Sequence, residues 1–202
     1  SIMTGLQYIG MTMKPGDPHY DLVSRLQNDC LRLTHLMDST LTFSKPVEYH
    51  FKPVDLAEML PSILERWAPR MTRLNIRYNF DANPAHPLVR ADARALEQVF
   101  VNLVSNAVQA MEKTGGTLNV RVINGAAHLV PPQYEVIVAD SGPGIPDDIK
   151  EHIFEPFVTT NASGTGLGLA ITKRIVTAHK GTINLESYPG GTMFHVFLPK
   201  AE

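Results

Sequence analysis

Apolar positions along this chain change their period several times, and each change marks a new element. Leu56, Met59, Leu60, Ile63, Leu64 and Trp67 recur at intervals of three and four, which predicts an amphipathic helix over residues 55–69. A β-forming run follows over residues 75–80. Asp92, a good N-cap, then opens a long helix with Leu96, Val99, Phe100, Leu103, Val104, Ala107 and Met111 on its inner face, ending before Gly115 and Gly116. Residues 118–122 alternate as a half-covered strand does, and residues 134–139 read as its core partner. Glycines at 164, 166 and 168 lead into a helix reaching residue 179, after which residues 182–187 and 192–198 form a closing hairpin around Pro189, Gly190 and Gly191. The expected class is α+β, in which residues 48–202 form an α/β sandwich with a mixed sheet covered by helices on one face.

The first quarter follows a different rule. Residues 2–13 and 17–44 read as two helices joined by KPGDP, a Pro/Gly turn at residues 14–18. On the second, Leu26, Cys30, Leu33, Met37 and Thr40 alternate spacings of four and three, the seam of a helical bundle. One hairpin buries too little apolar surface by itself, so the seam implies half of a homodimeric four-helix bundle with Cys30 in its core. The expected division is a hairpin over residues 1–47 and a second domain over residues 48–202.

Composition narrows the classes. The 202 residues carry a formal net charge of −2 and are 44% hydrophobic, with no basic footprint for nucleic acid. No apolar run approaches the ~20 residues that span a bilayer and no signal-peptide pattern stands at Ser1, so no membrane contact is expected of this stretch. A single cysteine permits no internal disulfide and suits a cytoplasmic location, or the cytoplasmic portion of an anchored protein. A start without Met, in the middle of an apolar pattern, points to a piece of a longer chain.

Three stretches carry the candidate chemistry: NLVSNAVQ (102–109), DSGPGI (140–145) and GTGLGL (164–169). Asn102 and Asn106, one turn apart on a helix, can aim amide oxygens at a divalent cation or at phosphate without adding negative charge. Asp140 ends a β-rich run where the chain turns at Gly142 and Gly144, and a carboxylate there can accept an exocyclic amine. Gly164, Gly166 and Gly168 open a helix, so backbone N–H groups and the helix dipole can meet phosphate oxygens. Together they describe an ATP site.

In this order, with IFEPF at residues 153–157 between the second and third, the motifs resemble the N, G1, F and G2 boxes of sensor histidine kinases of two-component systems, in the GHKL ATPase superfamily. The short Thr159, Thr160 segment and the continuation NAVQAM look like kinases with a compact lid, typified by nitrogen-regulation sensors. The resemblance implies ATP and Mg²⁺ as cofactors, a homodimer through the hairpin, and a response-regulator receiver domain as partner. By position, it implies that Asn106 coordinates Mg²⁺ and that Asn102 stands where hydrolysing relatives carry a water-activating Glu. It gives Asp140 to the adenine amine, Gly142 and Gly144 to close passage of the purine, and Ile145, Leu169 and Ile153 to the pocket wall. Gly164, Thr165, Gly166, Leu167 and Gly168 become the phosphate-binding lid hinge, Thr192 a pocket-closing residue, and Gln109, Thr159 and Thr160 further nucleotide contacts.

An amide at 102 cannot take a proton at neutral pH, so the expected chemistry is γ-phosphoryl transfer to a histidine and not hydrolysis. In the family that histidine lies in a His-Glu-x-x-Asn-Pro-Leu context, which none of the eight histidines here has, so the acceptor is expected upstream of Ser1. His179 and the other seven read as structural or solvated, as do the charges of Lys173 and Arg174. Phe154 and Phe157 read either as core plugs or as the box that docks the lid. Two departures stand out: Asn161 where related short-lid kinases place Lys or Arg, and His179, Lys180, Gly181 in place of His-Gly-Gly. The alternatives are a GHKL ATPase or serine kinase of anti-sigma type, and a non-catalytic ATP-sensing dimerisation scaffold.

Overall fold

The structure, a computed structural model, describes residues 5, 8, 9, 19, 20, 22–27, 30, 48–125, 131–160 and 164–201. Along the chain run β1 (Lys52–Asp55), α1 (Leu56–Arg73), β2 (Ile76–Asn83), β3 (Leu88–Ala91), α2 (Ala93–Ala110), β4 (Gly116–Asn124), β5 (Gln133–Asp140), α3 (Asp147–Lys150), α4 (Gly168–Ala178), β6 (Thr182–Tyr188) and β7 (Gly191–Pro199).

Both long helices start where an aspartate can satisfy orphan amides. Asp55 Oδ1 accepts the Ala57 N–H at 2.8 Å, and Asp92 Oδ1 accepts those of Arg94 and Ala95 at 3.1 and 3.0 Å. Helix α1 runs four residues beyond its predicted end at Pro69. A proline removes one donor, but Met71 is fully buried and its packing carries the helix through another turn.

The main sheet has the order β2-β4-β5-β7-β6, with β2 parallel to β4 and every other pair antiparallel. Leu118, Val120 and Val122 of β4, Val136 and Val138 of β5, and Phe194, Val196 and Leu198 of β7 bury their side chains against α1, α2 and α4. Asn119, Ala139 and Met193 alternate with them onto the uncovered face. The α+β sandwich expected from the pattern is therefore the observed one. Phe100, 0% exposed at the centre, belongs to the class of side chain whose truncation to Ala costs about 3–5 kcal/mol.

Strands β1 and β3, four residues each, were not legible as elements, and they form a separate antiparallel pair. Val89 of β3 also bridges to Lys200, and the Ala201 N–H donates to the Leu88 carbonyl at 2.8 Å. The start of the sandwich and its last residues thus lie on either side of one strand.

In the first quarter of the chain, Gly5, Tyr8, Ile9, Tyr20, residues 22–27 and Cys30 are helical. Val23 is buried, Cys30 half-buried and Leu26 42% exposed. The KPGDP turn and Leu33, Met37 and Thr40 lie outside the described residues. Among the described residues no helix is long and apolar enough to cross a membrane.

Candidate nucleotide site

Helix α2 is the spine of the site. Near its middle, Asn102 Nδ2 donates to the Gly168 carbonyl at 3.1 Å and lies 3.4 Å from Thr172 Oγ1, so this amide joins α2 to the first turn of α4. At its C-terminal end Ala110 packs against Gly142 of the DSGPGI turn, where an added Cβ would stand 3.1 Å from the alanine methyl. Eight residues separate these contacts, about 12 Å at 1.5 Å per residue. Half-buried Asn106 lies between them, while Gln109 is exposed and donates to Ser105 Oγ at 3.4 Å.

At the Ala110 end, β5 delivers Asp140 opposite Leu118 and Thr192, on the face the helices cover. Burial pushes its carboxyl up to about 6, although the Gly142 and Thr192 amides donate to it, the first at 2.8 Å. A carboxylate so desolvated is short of donors, and a ligand amine would supply one. Buried Thr192 lies 3.4 Å, hydroxyl to hydroxyl, from Ser187, a residue the sequence reading passed over. Ser187 Oγ accepts the Ile145 N–H at 2.8 Å and donates to the Gly191 carbonyl at 3.2 Å. Lys150 adds a bond from Nζ to the Ser187 carbonyl at 2.6 Å and an ion pair with Asp147 at 2.6 Å. The signal was slight: Ser187 is the polar residue that ends the inward row begun by Ile183 and Leu185.

Gly144 has φ +84°, and a Cβ there would collide with the Tyr188 carbonyl. Gly166 has φ +67°, its carbonyl accepts the Phe157 N–H at 2.9 Å, and a Cβ would overlap the Phe157 backbone. Chain-to-chain packing by itself requires a glycine at both positions, whatever ligand they also meet. Phe157 is itself at φ 71° and 62% exposed. Phe154 packs edge-on against Phe194 at 6.4 Å, with Lys173 Nζ 5.4 Å from its centroid, so Lys173 has a partner as well as solvent.

Helix α4 starts at Gly168 with no side-chain cap, leaving first-turn N–H groups for a ligand beside Asn102. Leu167 is buried beneath it, and its N–H lies 3.4 Å from Thr165 Oγ1. Leu169 and Ile145 are half-buried on the core, Ile153 is fully within it, and Gly164 is half-buried. Thr159 and Thr160 are exposed, and Asn161 lies outside the described residues. Among the described residues no group of three or more His, Cys, Asp or Glu gathers to hold a metal. One amide such as Asn106 fits Mg²⁺ nonetheless, since that ion keeps several waters and takes phosphate oxygens as ligands. A concavity of about 450 Å³, lined in part by Asn79, Asp81, Arg121 and Met193, opens on the uncovered sheet face and reaches Asp140 and Ser141 at the edge of this site.

Residues 91–202 match the family described as histidine kinase-, DNA gyrase B- and HSP90-like ATPase. The sensory histidine kinase/phosphatase NtrB of Rhodobacter capsulatus is 35% identical over 191 residues, 90% of this chain and 53% of that protein. Full-length ShkA in complex with AMPPNP superposes with a TM-score of 0.75 at 28% identity, over 99% of this chain and 44% of that one. Histidine kinase ThkA in complex with response regulator protein TrrA gives 0.75 at 27%, over 99% and 57%. The chain thus spans about half the length of these relatives. With the ordered motifs gathered around α2 and the same sandwich in its relatives, the chain belongs to the histidine kinase-, DNA gyrase B- and HSP90-like ATPase family, among the sensor histidine kinases.

Proposed function

We propose that residues 48–202 bind Mg-ATP along α2 and direct its γ-phosphoryl group to a histidine on a helical bundle, for relay to a response-regulator receiver domain. The observation that carries this reading is the spacing of two unlike ends: a desolvated carboxylate, Asp140, at one, and an uncapped helix start held by Asn102 at the other. Asp140 accepts the adenine amine, with Ile145 and Leu169 flanking the base and Thr192 closing the pocket. Gly164, Thr165, Gly166, Leu167 and Gly168 present backbone N–H groups to the phosphates, with Gln109, Thr159 and Thr160 at the margin. Asn106 would hold Mg²⁺, which would supply charge neutralisation to the phosphates.

The protein's share is placement and charge complementarity, the main terms in phosphoryl transfer. The amide nitrogen of Asn102 is committed to Gly168, and an amide is no general base, which favours transfer to an external nucleophile over hydrolysis. Residues 1–47 serve as the dimerisation hairpin, and the acceptor is a histidine in the family's His-Glu-x-x-Asn-Pro-Leu context. ThkA's complex with a response regulator supports the final relay by analogy.

The test is transfer in trans from γ-labelled ATP with Mg²⁺. This chain should leave itself unlabelled and place acid-labile, base-stable phosphate on a separate bundle fragment carrying that motif. Label on this chain, or steady phosphate release with no acceptor, would refute the reading.

A further inference from the structure

His179 stands where three segments meet. It follows the last turn of α4 and is 3% exposed. Its Nδ1–H donates to the Ile175 carbonyl at 2.8 Å, which makes Nε2 the acceptor, and Nε2 receives the Asp92 N–H at 3.0 Å. Asp92 caps α2, and its Oδ2 accepts the His50 N–H at 2.9 Å. The neighbours of His50 close over the imidazole, Tyr49 at 5.3 Å and Phe51 at 5.0 Å between ring centroids. One side chain therefore ties the end of α4, the start of α2 and the segment that leads into β1.

Filling that space would need only an apolar residue; a buried ring with both nitrogens bonded fixes orientation as well. The helices it joins meet again at Asn102, Gly168 and Thr172. Helix α4 is thus held at both ends, by Asn102 at Gly168 and by His179, and a shift at one end must be taken up at the other. We propose that His179 is a positioning residue, the joint through which nucleotide at the glycine loop sets the docking of residues 49–51 against the catalytic domain. The proposal rests on the ATP-site reading above.

Amide hydrogen exchange of the full chain, with and without Mg²⁺ and AMPPNP, tests it. In the unmodified chain the nucleotide should slow exchange at residues 164–168, and also at residues 49–51, by about fivefold or more, the lower range of ordinary inter-site coupling. His179→Phe keeps a ring between Tyr49 and Phe51 but loses both hydrogen bonds. It should retain slowing at the loop and lose it at residues 49–51, with His179→Gln restoring part of the response. The double variant Tyr49→Ala, Phe51→Ala leaves the core untouched and should uncouple the two segments in the same way, even where His179→Phe fails to fold. Undiminished slowing of residues 49–51 in the variants, or a loop response without a response there in the unmodified chain, overturns the joint. No response at the loop in the unmodified chain overturns the nucleotide reading itself.

Discussion

The Asn102 side chain and the Gly168 carbonyl, 3.1 Å apart, lock α2 to the first residue of α4. Spacing alone pairs Asn102 with Asn106, while the resemblance gives them different roles, and their surroundings differ as well: one is bonded into a helix–helix joint, and the other lies half-buried along the spine. Asn102→Asp removes the donor and sets a carboxylate against a carbonyl, so it should cost about 1–3 kcal/mol of stability. Asn106→Asp should leave the melting temperature nearly unchanged while weakening Mg-ATP binding. Thermal melts beside nucleotide titrations check this, and equal melting shifts would sink the distinction.

Asp140, with its pKa pushed up to about 6 by burial, ties stability to pH. A carboxyl raised above its unfolded value of 3.8 favours the fold below that value, and the benefit is lost as pH rises through about 6. Asp140→Asn should therefore be more stable than the unmodified protein above pH 6, by on the order of 2 kcal/mol after discounting solvent screening, with the gain vanishing towards pH 4. Denaturant melts across that window measure it.

The same substitution should harm binding. Losing a charge-assisted acceptor for the adenine amine costs roughly 1.5–3 kcal/mol. Because the ionised form is the better acceptor, ATP affinity of the unmodified protein should fall below about pH 6, and Asp140→Asn should lack that part of the pH dependence. Calorimetric titrations of both proteins decide it; an unchanged preference for ATP over GTP in the variant would remove adenine from Asp140.

Ser187→Ala strips the acceptor of the Ile145 N–H and leaves the Thr192 hydroxyl without its neighbour. A loss of about 1–2 kcal/mol in stability is expected, with weaker ATP binding because the turn at Ile145 loosens. Ser187→Thr, which retains the hydroxyl, should recover most of both.

Gly166→Ala should disturb the loop before any nucleotide arrives, since the added Cβ meets the Phe157 backbone at a φ of +67°. Amide chemical shifts of Phe157 and Leu167 in nucleotide-free protein report this. A spectrum identical to that of the unmodified protein would mean that the glycine serves only the phosphate.

Where periodicity was long, the chain announced its structure: α2 and its Asp92 cap, β4 against β5, and the final hairpin all lie where the apolar rhythm put them. Short elements stayed hidden because four residues such as those of β1 or β3 hold too few periods to read, and their stability comes from partners remote in sequence. The same limit applied within the site. Asp140 and the glycines belong to local motifs, whereas Ser187 and His179 act through residues about forty and ninety positions away. No nearby pattern signals such contacts.

The strand β3 lies between β1 and the tail at Lys200, antiparallel to each. Tension applied through residues 52 and 201 would therefore load β1, β3 and the bridge at Lys200 in shear, with their hydrogen bonds resisting together. Residues 52 and 201 are thus fastened to each other through β3, so a displacement of one is passed to the other by a path that does not run through α2.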